Sequence, residues 1–331
     1  MTIDIGLIGA GGIGTRHGNI LHSLDGVNVP AVCDINEERA VELARDLSAR
    51  SYDRPHELYA AEVLDAVYVT TPPVGRLEVI RGAIENDLAV FCEKPLAADV
   101  TQGRAIAGLV SASDLPFMMG FCSRFCEPCR RLKARLDDGD IGTPVTFVSQ
   151  RAGWGVPSGD NWRIDPKQSC GITIESASHN VDLLRWLGGE VQAAAGTVTN
   201  VTHPELPGFD DNLVGILSFE DGAIASVYNS WTSRLAFLRH GVIGTEGAVF
   251  VEGDDWWRLD RLRYAHEDAS HVQTTEFSSD EATAMGYRRE SEVFVDCLRT
   301  NSTPPAAVDD GLRALEICTE LRECSGVSSS P

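Results

Sequence analysis

The chain has 331 residues, 43% of them apolar and 23% charged, a composition that supports a folded core and argues against global disorder. Its 28 Lys+Arg stand against 49 Asp+Glu, a formal net charge of −21. Such an excess of acid argues against nucleic acid and against an anionic membrane surface, since both are bound through clustered cations.

Along the first third, short apolar runs alternate with helical periodicity. Ile3–Ile8 predicts a buried strand and 13–24 a helix. Residues 29–33 predict a strand, 37–49 a helix, 66–70 a strand and 77–86 a helix. A strand at 89–92, a helix at 101–112 and a strand at 117–121 complete the series. Strand and helix alternating at this spacing indicate a parallel sheet with helices on both faces. Near residue 121 the pattern changes. A helix at 128–137 and a strand at 145–150 lead into a Trp/Gly-rich loop from 153 to 170. One strong helix, 176–187, stops at Gly188-Gly189. Six β-rich stretches follow, at 192–201, 213–219, 223–229, 238–243, 248–251 and 258–264, and predict an open, largely antiparallel sheet. Helices at 282–299 and 309–323 close the chain. The fold class expected is therefore α/β: a dinucleotide-binding domain over 1–121 and an α+β domain over 122–331, with the helix at 309–323 returning to the first domain.

Four motifs carry chemistry. Gly9-Ala10-Gly11-Gly12-Ile13-Gly14 follows a strand and opens a helix, the context in which glycines let a backbone approach a pyrophosphate at a helix N-terminus. Asp34 ends the second strand, twenty residues after Gly14, where an acid accepts hydrogen bonds from a ribose diol and repels a 2′-phosphate. NAD is expected over NADP. An ordinary glycine turn with a helix-capping aspartate is the alternative. Thr70-Thr71-Pro72-Pro73 follows the third clear strand and faces the same crevice, or else simply opens a helix. Glu93-Lys94-Pro95 aims one of only three lysines at that crevice, unless it is a solvated surface lysine. Glu175, His179 and Asp182 recur at helical spacing, so one face would carry a histidine beside carboxylates, a general base for a hydroxyl proton. The other reading is a capped helix whose histidine is structural.

Together these features resemble the Gfo/Idh/MocA oxidoreductases. The resemblance rests on Gly9–Gly14, Thr71-Pro72, Glu93-Lys94-Pro95, Gly120-Phe121, Arg124-Phe125, Trp162-Arg163, and Glu175, His179 and Asp182 ahead of Leu183-Leu184-Arg185-Trp186. It implies a Rossmann domain, a second domain whose open sheet joins subunits into dimers or tetramers, and hydride transfer between NAD(P) and a hydroxyl of a sugar, sugar derivative or cyclitol. Carried over by position, Lys94 contacts the reacting hydroxyl and His179 is the acid/base, with Glu175 standing where the family usually has aspartate. Gly9, Gly11, Gly12, Ile13, Gly14, Asp34, Thr71, Pro72, Glu93 and Lys94 are expected at the cofactor. Arg124, Trp162, Arg163, Asn180 and Asp182 are expected at the substrate. Arg76 stands where relatives often carry histidine after the Thr-Pro turn. Two readings compete with a dehydrogenase that releases its cofactor: a cofactor-retaining, redox-neutral enzyme acting on a glycoside or sugar pair, and a non-catalytic dinucleotide sensor.

Cys122-x3-Cys126-x2-Cys129 has the spacing of a three-thiolate iron–sulfur site, but Arg124-Phe125 inside it belongs to the oxidoreductase pattern, and no metal is expected. The N-terminal segment has no basic stretch ahead of a long apolar one, and no run reaches membrane-spanning length, so a cytoplasmic protein is expected. The nine scattered cysteines fit that compartment as reduced thiols.

Overall fold

A computed structural model describes residues 2–159, 161–266, 271–283 and 285–323. In chain order the elements are β1 (Ile3–Ile8), α1 (Gly12–His22), β2 (Val27–Cys33), α2 (Glu37–Leu47), β3 (Arg50–Tyr52), α3 (Pro55–Ala61), β4 (Ala66–Val69), α4 (Arg76–Glu85), β5 (Ala89–Glu93), α5 (Val100–Ser111) and β6 (Phe117–Gly120). After these come α6 (Glu127–Asp137), β7 (Pro144–Trp154), α7 (Gly171–Glu175), α8 (Ala177–Gly188), β8 (Val191–Thr199), β9 (Asn212–Phe219), β10 (Ile224–Ser230), β11 (Thr232–Gly244), β12 (Gly247–Gly253), β13 (Arg261–His266), β14 (Gln273–Glu276), α9 (Tyr287–Thr300) and α10 (Val308–Glu323).

These elements form two compact units: Met1–Phe121 with Tyr287–Arg313, and Cys122–Gly286 with Ala314–Pro331. The expected second domain, 122–331, therefore loses Tyr287–Arg313 to the first unit, and α10 is shared between the two.

The first unit is a six-stranded sheet in the order β3-β2-β1-β4-β5-β6, with every pair parallel. Every residue of β4, β5 and β6 is buried, as expected of parallel strands covered on both faces. Helix α2 buries Ala40, Leu43, Ala44 and Leu47, a single apolar stripe. Asn36 caps it by accepting the Arg39 amide at 3.1 Å. Chain order reverses between β1 and β4, the switch point at which ligands bind such sheets.

The second unit is built on eight strands in the order β14-β13-β12-β11-β7-β10-β9-β8. Only β7 and β10 pair in parallel; the other pairs are antiparallel. Helix α8 buries Val181, Leu183, Leu184 and Leu187 and makes contacts with β7 and β10.

Four departures from the sequence reading have local causes. Arg50–Tyr52 is short and polar, yet it becomes β3 by pairing Ala31, Val32 and Cys33 of β2. Gln273–Glu276 is likewise polar and exposed, and β13 recruits it. The helix expected at 282–299 begins only at Tyr287. Ala282 instead accepts the Leu259 amide at 2.7 Å, and the Gly286 amide is held by Cys122 O at 3.0 Å. The helix expected at 176–187 is preceded by a separate short helix, α7, and the two meet at Ser176.

Candidate active site

Three loops gather at the C-terminal ends of β1, β4 and β5. The first is the glycine loop. Gly9 sits at φ 107°, a conformation a β-carbon disfavours, and its Cβ would come within 2.8 Å of Thr70. A Cβ on Gly14 would collide with the Gly9 carbonyl, so the helix packs directly on the loop. Gly11 and Gly12 differ: a Cβ on either would meet nothing within 4 Å. Gly11 is the N-cap of α1, has no side chain to cap it, and is followed by Ile13 in the first turn, which carries no acid. Exposed amides at a helix start with open space above them suit a phosphate. Thr70 braces the loop from the neighbouring strand, its Oγ1 donating to Gly9 O at 2.7 Å.

Asp34 ends β2 with its carboxylate already oriented. Oδ2 accepts the Ala10 amide at 2.7 Å and Oδ1 the Asn36 amide at 2.8 Å. An ionised carboxylate has about four lone-pair sites, so it retains capacity for a diol. Beside it, at the ends of β2 and β3, lies an open pocket of about 300 Å³ lined by Glu37, Ala40, Ser51, Tyr52, Asp53 and Glu57. Its three carboxylates make the Asp34 end strongly negative. That pocket was missed in the sequence because β3 was.

Thr71 and Pro72 follow β4, and Lys94 follows β5. One buried side chain ties the two turns together. Arg76 is 2% exposed, and its guanidinium donates to the carbonyls of Thr71, Glu93 and Pro95. Two of those carbonyls flank Lys94. Arg76 thus fixes the backbone of the half-buried lysine from both sides. The Glu93 carboxylate points inward: Oε1 is 2.9 Å from His17 Nε2, and Oε2 accepts the Lys94 amide at 3.0 Å.

In the second unit the other expected residues cluster around α7 and α8. Gly171 begins α7 at φ 68°, against Asp210. The Asp210 carboxylate takes the Thr173 amide at 2.8 Å and lies 3.1 Å from Arg322 Nε, which anchors the start of α7. Burial outweighs these partners and pushes the Asp210 carboxyl up. Glu175 ends α7 and pairs with Arg163 Nη2 at 2.6 Å, while the Arg163 guanidinium lies 4.7 Å from the centre of the Trp162 ring. Glu175, expected to share one helical face with His179 and Asp182, belongs instead to the preceding helix. His179 and Asp182 remain together on α8.

Asp182 is wholly buried and takes Arg124 in a two-pronged pair, Nε at 2.8 Å and Nη2 at 2.5 Å. Asn180 binds into the sheet: its Nδ2 donates to Ser149 Oγ at 2.7 Å, and its Oδ1 accepts from Asn229 at 3.2 Å. Ser149 Oγ in turn lies 2.9 Å from His240 Nδ1. A cavity of about 10 Å³, room for about one water, is lined by His179 and Asn180 with Ser123, Arg151, Leu238, His240 and Met285. The last five were not singled out in the sequence. Arg151 and Ser149 sit on the inner face of β7, a side-chain alternation that needs the register to be seen. The Arg151 guanidinium is stacked 4.5 Å from the Trp257 ring centre. Burial, with Arg151 adding to it, holds His240 down at about 3, so it lines the cavity as a neutral ring.

Cys122, Cys126 and Cys129 are all buried thiols, and Cys122 Sγ lies 3.2 Å from Met285 Sδ. The Cys129 thiol is pushed well up, by its hydrogen bond with Cys126 first and then by burial. Among the described residues, the one group whose ligand atoms all come within 4.8 Å of one another is His17, Glu93 and Glu290, not these thiols.

Comparison with known proteins agrees with both units. Residues 3–121 match the family described as "Oxidoreductase family, NAD-binding Rossmann fold", and residues 129–250 match "GFO/IDH/MocA C-terminal domain". The chain is 29% identical over 321 residues to the scyllo-inositol 2-dehydrogenase (NAD(+)) of Bacillus subtilis, covering 94% of this chain and 90% of that one. It is 30% identical over 324 residues to inositol 2-dehydrogenase 3 of Saccharopolyspora erythraea, covering 96% and 91%. The fold matches the solved myo-inositol 2-dehydrogenase of Lactobacillus plantarum with a TM-score of 0.80 at 24% identity, covering 99% and 98%.

Proposed function

We infer, because the chain belongs to the Gfo/Idh/MocA oxidoreductase family, that it is an NAD-dependent dehydrogenase acting on a CH–OH group of a cyclitol or sugar. The observation that carries this reading is the first unit's crevice, where the open glycine loop, the oriented Asp34 and the braced Lys94 turn end three strands of one sheet. Gly9, Gly11, Gly12, Ile13 and Gly14 would hold the pyrophosphate, Asp34 the adenine ribose, and Thr71 and Pro72 the chain beyond it. Bound NAD supplies the hydride acceptor.

The remaining chemistry belongs to side chains of this protein. Lys94 donates a hydrogen bond to the substrate oxygen and stabilises charge as it develops there. His179 takes the hydroxyl proton during oxidation and returns it during reduction. Glu175, at the end of the preceding helix, pairs with Arg163 from the turn at Trp162–Ile164, and Trp162 offers a ring against which a polyol face can lie. Asn180 lines the His179 cavity. Arg124 and Asp182 brace the helix that carries His179.

The acids beside Asp34 support NAD over NADP. Replacing Asp34 with alanine removes the diol acceptor and one of the charges opposing a 2′-phosphate. We expect KM for NAD to rise about ten- to a hundredfold, the effect of one lost charged hydrogen bond, and discrimination against NADP to shrink. An unchanged NAD/NADP ratio in D34A would refute this role.

The reading includes a homodimer or homotetramer joined through the second sheet. One face of that sheet leaves Val214, Ile216, Ile224 and Ile243 exposed, with Thr146 lying between Ile224 and Ile243 across the strands. Apolar strands open to water invite a second copy. I216K combined with V214K should reduce the mass measured by light scattering toward that of one chain; an unchanged mass would place the interface elsewhere. The eight described cysteines are all buried and free, which supports action in the cytoplasm. Among the described residues no helix is long and apolar enough to cross a membrane.

A further inference from the structure

We propose that Glu290 is a buried carboxylic acid which, with His17 and Glu93, forms a proton-sharing cluster that positions the Lys94 turn. The role assigned to Lys94 rests on the dehydrogenase reading; the state of the cluster does not.

The three residues come from distant parts of the chain. His17 lies on α1, Glu93 ends β5, and Glu290 lies in the first turn of α9. All belong to the first unit, and all are buried: His17 and Glu290 are 0% exposed and Glu93 4%. One ligand atom from each lies within 4.8 Å of the others. The surroundings are aromatic. His17 meets Tyr68, Phe91 and Tyr287 at ring-centre distances of 5.4, 5.2 and 5.5 Å, and Arg16 covers the far ring, 5.1 Å from Tyr287.

Within this pocket the two carboxylates have unequal roles. Glu93 is engaged on both oxygens, one in a hydrogen bond with His17 Nε2 and the other accepting the Lys94 amide. Glu290 has no hydrogen-bond partner on either oxygen, and His17 Nδ1 has none either. A second carboxylate a few ångströms from Glu93, wholly buried, would combine desolvation with like-charge repulsion. Burial, reinforced by the charge of Glu93, accordingly raises the Glu290 carboxyl well above its ordinary range. A proton on Glu290 removes both penalties and supplies a donor toward Glu93.

A divalent cation is the other way to relieve two buried acids. The geometry favours the proton: His17 Nε2 and Glu93 Oε1 are already in direct hydrogen bond at 2.9 Å, with aromatic rings packed around them. The consequence is specific. The Lys94 amide is held by Glu93, Glu93 meets His17 of α1, and Glu290 of α9, nearly two hundred residues further along the chain, lies within 4.8 Å of both. Glu290 is a positioning residue; it acts through Glu93.

The test compares wild type with E290Q and E290L. Glutamine reproduces a neutral, hydrogen-bonding Glu290; leucine removes the donor at similar size. We expect the infrared spectrum of the wild type at neutral pH to contain a carboxylic-acid C=O band that E290Q lacks. We expect E290Q to keep kcat within about threefold, and E290L to lower it at least tenfold with KM for NAD unchanged. The infrared band is read without substrate, so it stands even where no substrate is turned over. Absence of that band, or a stoichiometric bound metal in the wild type that E290Q loses, would overturn the proposal. So would an E290Q variant as impaired as E290L.

Discussion

Alanine at position 179 lowers kcat by about 10²–10⁴, the usual contribution of a positioned acid/base, while NAD affinity measured by fluorescence titration stays within twofold. His179 is the residue of α8 that lines the small cavity beside Asn180, and its helix is held independently of it. Arg124 grips Asp182 three residues on, Asn180 is hydrogen-bonded to Ser149, and Leu183, Leu184 and Leu187 are packed in the core. The imidazole can therefore be removed without releasing the helix. Lys94→Ala should cost a similar factor. Turnover retained in either single variant would remove that residue from the mechanism.

Methionine at position 76 produces the largest loss of stability. The Arg76 guanidinium satisfies carbonyls of Thr71, Glu93 and Pro95 inside the first unit, where water does not reach it. Methionine keeps much of the volume and leaves those acceptors unmet, at about 1–3 kcal/mol for each buried group. A total of about 3 kcal/mol or more corresponds to a fall in Tm of about 6–12 °C for a domain of this size. Turnover should fall as well, because Arg76 holds the carbonyls on both sides of Lys94. Lysine should rescue little, since a single ammonium cannot reproduce the spread of the fork. Calorimetry on R76M checks the first effect and kcat the second; wild-type Tm in R76M would show that the carbonyls find other donors.

Much of the first unit was legible in the sequence because it is local. Buried parallel strands are continuous apolar runs, and each is followed within a few residues by its loop, so Gly9–Gly14, Thr71-Pro72 and Glu93-Lys94 could be aligned at one sheet edge without knowing a contact. What could not be read depends on partners distant in sequence. Arg76 is notable in the sequence only for standing where relatives often carry histidine; the three carbonyls that converge on it come from separate turns. Glu93 is expected at the cofactor from its motif, while its contact with His17 comes from a helix far away in sequence. Arg124 and Asp182 look like substrate groups from either side, and the structure shows them gripping each other. In α7 and α8 the spacing of Glu175 and His179 was compatible with one helix; Asp210, 35 residues beyond Glu175, anchors the separate turn that ends in Glu175. Arg151 and His240 carry no motif, and only strand register turns them toward the cavity.

The most direct test is to mix the purified protein with NAD, and separately with NADP, across a panel of inositols, other cyclitols, aldoses and glycosides, and to follow nicotinamide reduction at mildly alkaline pH. The account predicts reduction of NAD by one class of cyclitol or sugar, much weaker reduction of NADP, and loss of the signal in the His179→Ala and Lys94→Ala variants. No reduction with any member of the panel, together with NAD carried through purification, would contradict it and favour an enzyme that keeps its cofactor through a redox-neutral cycle.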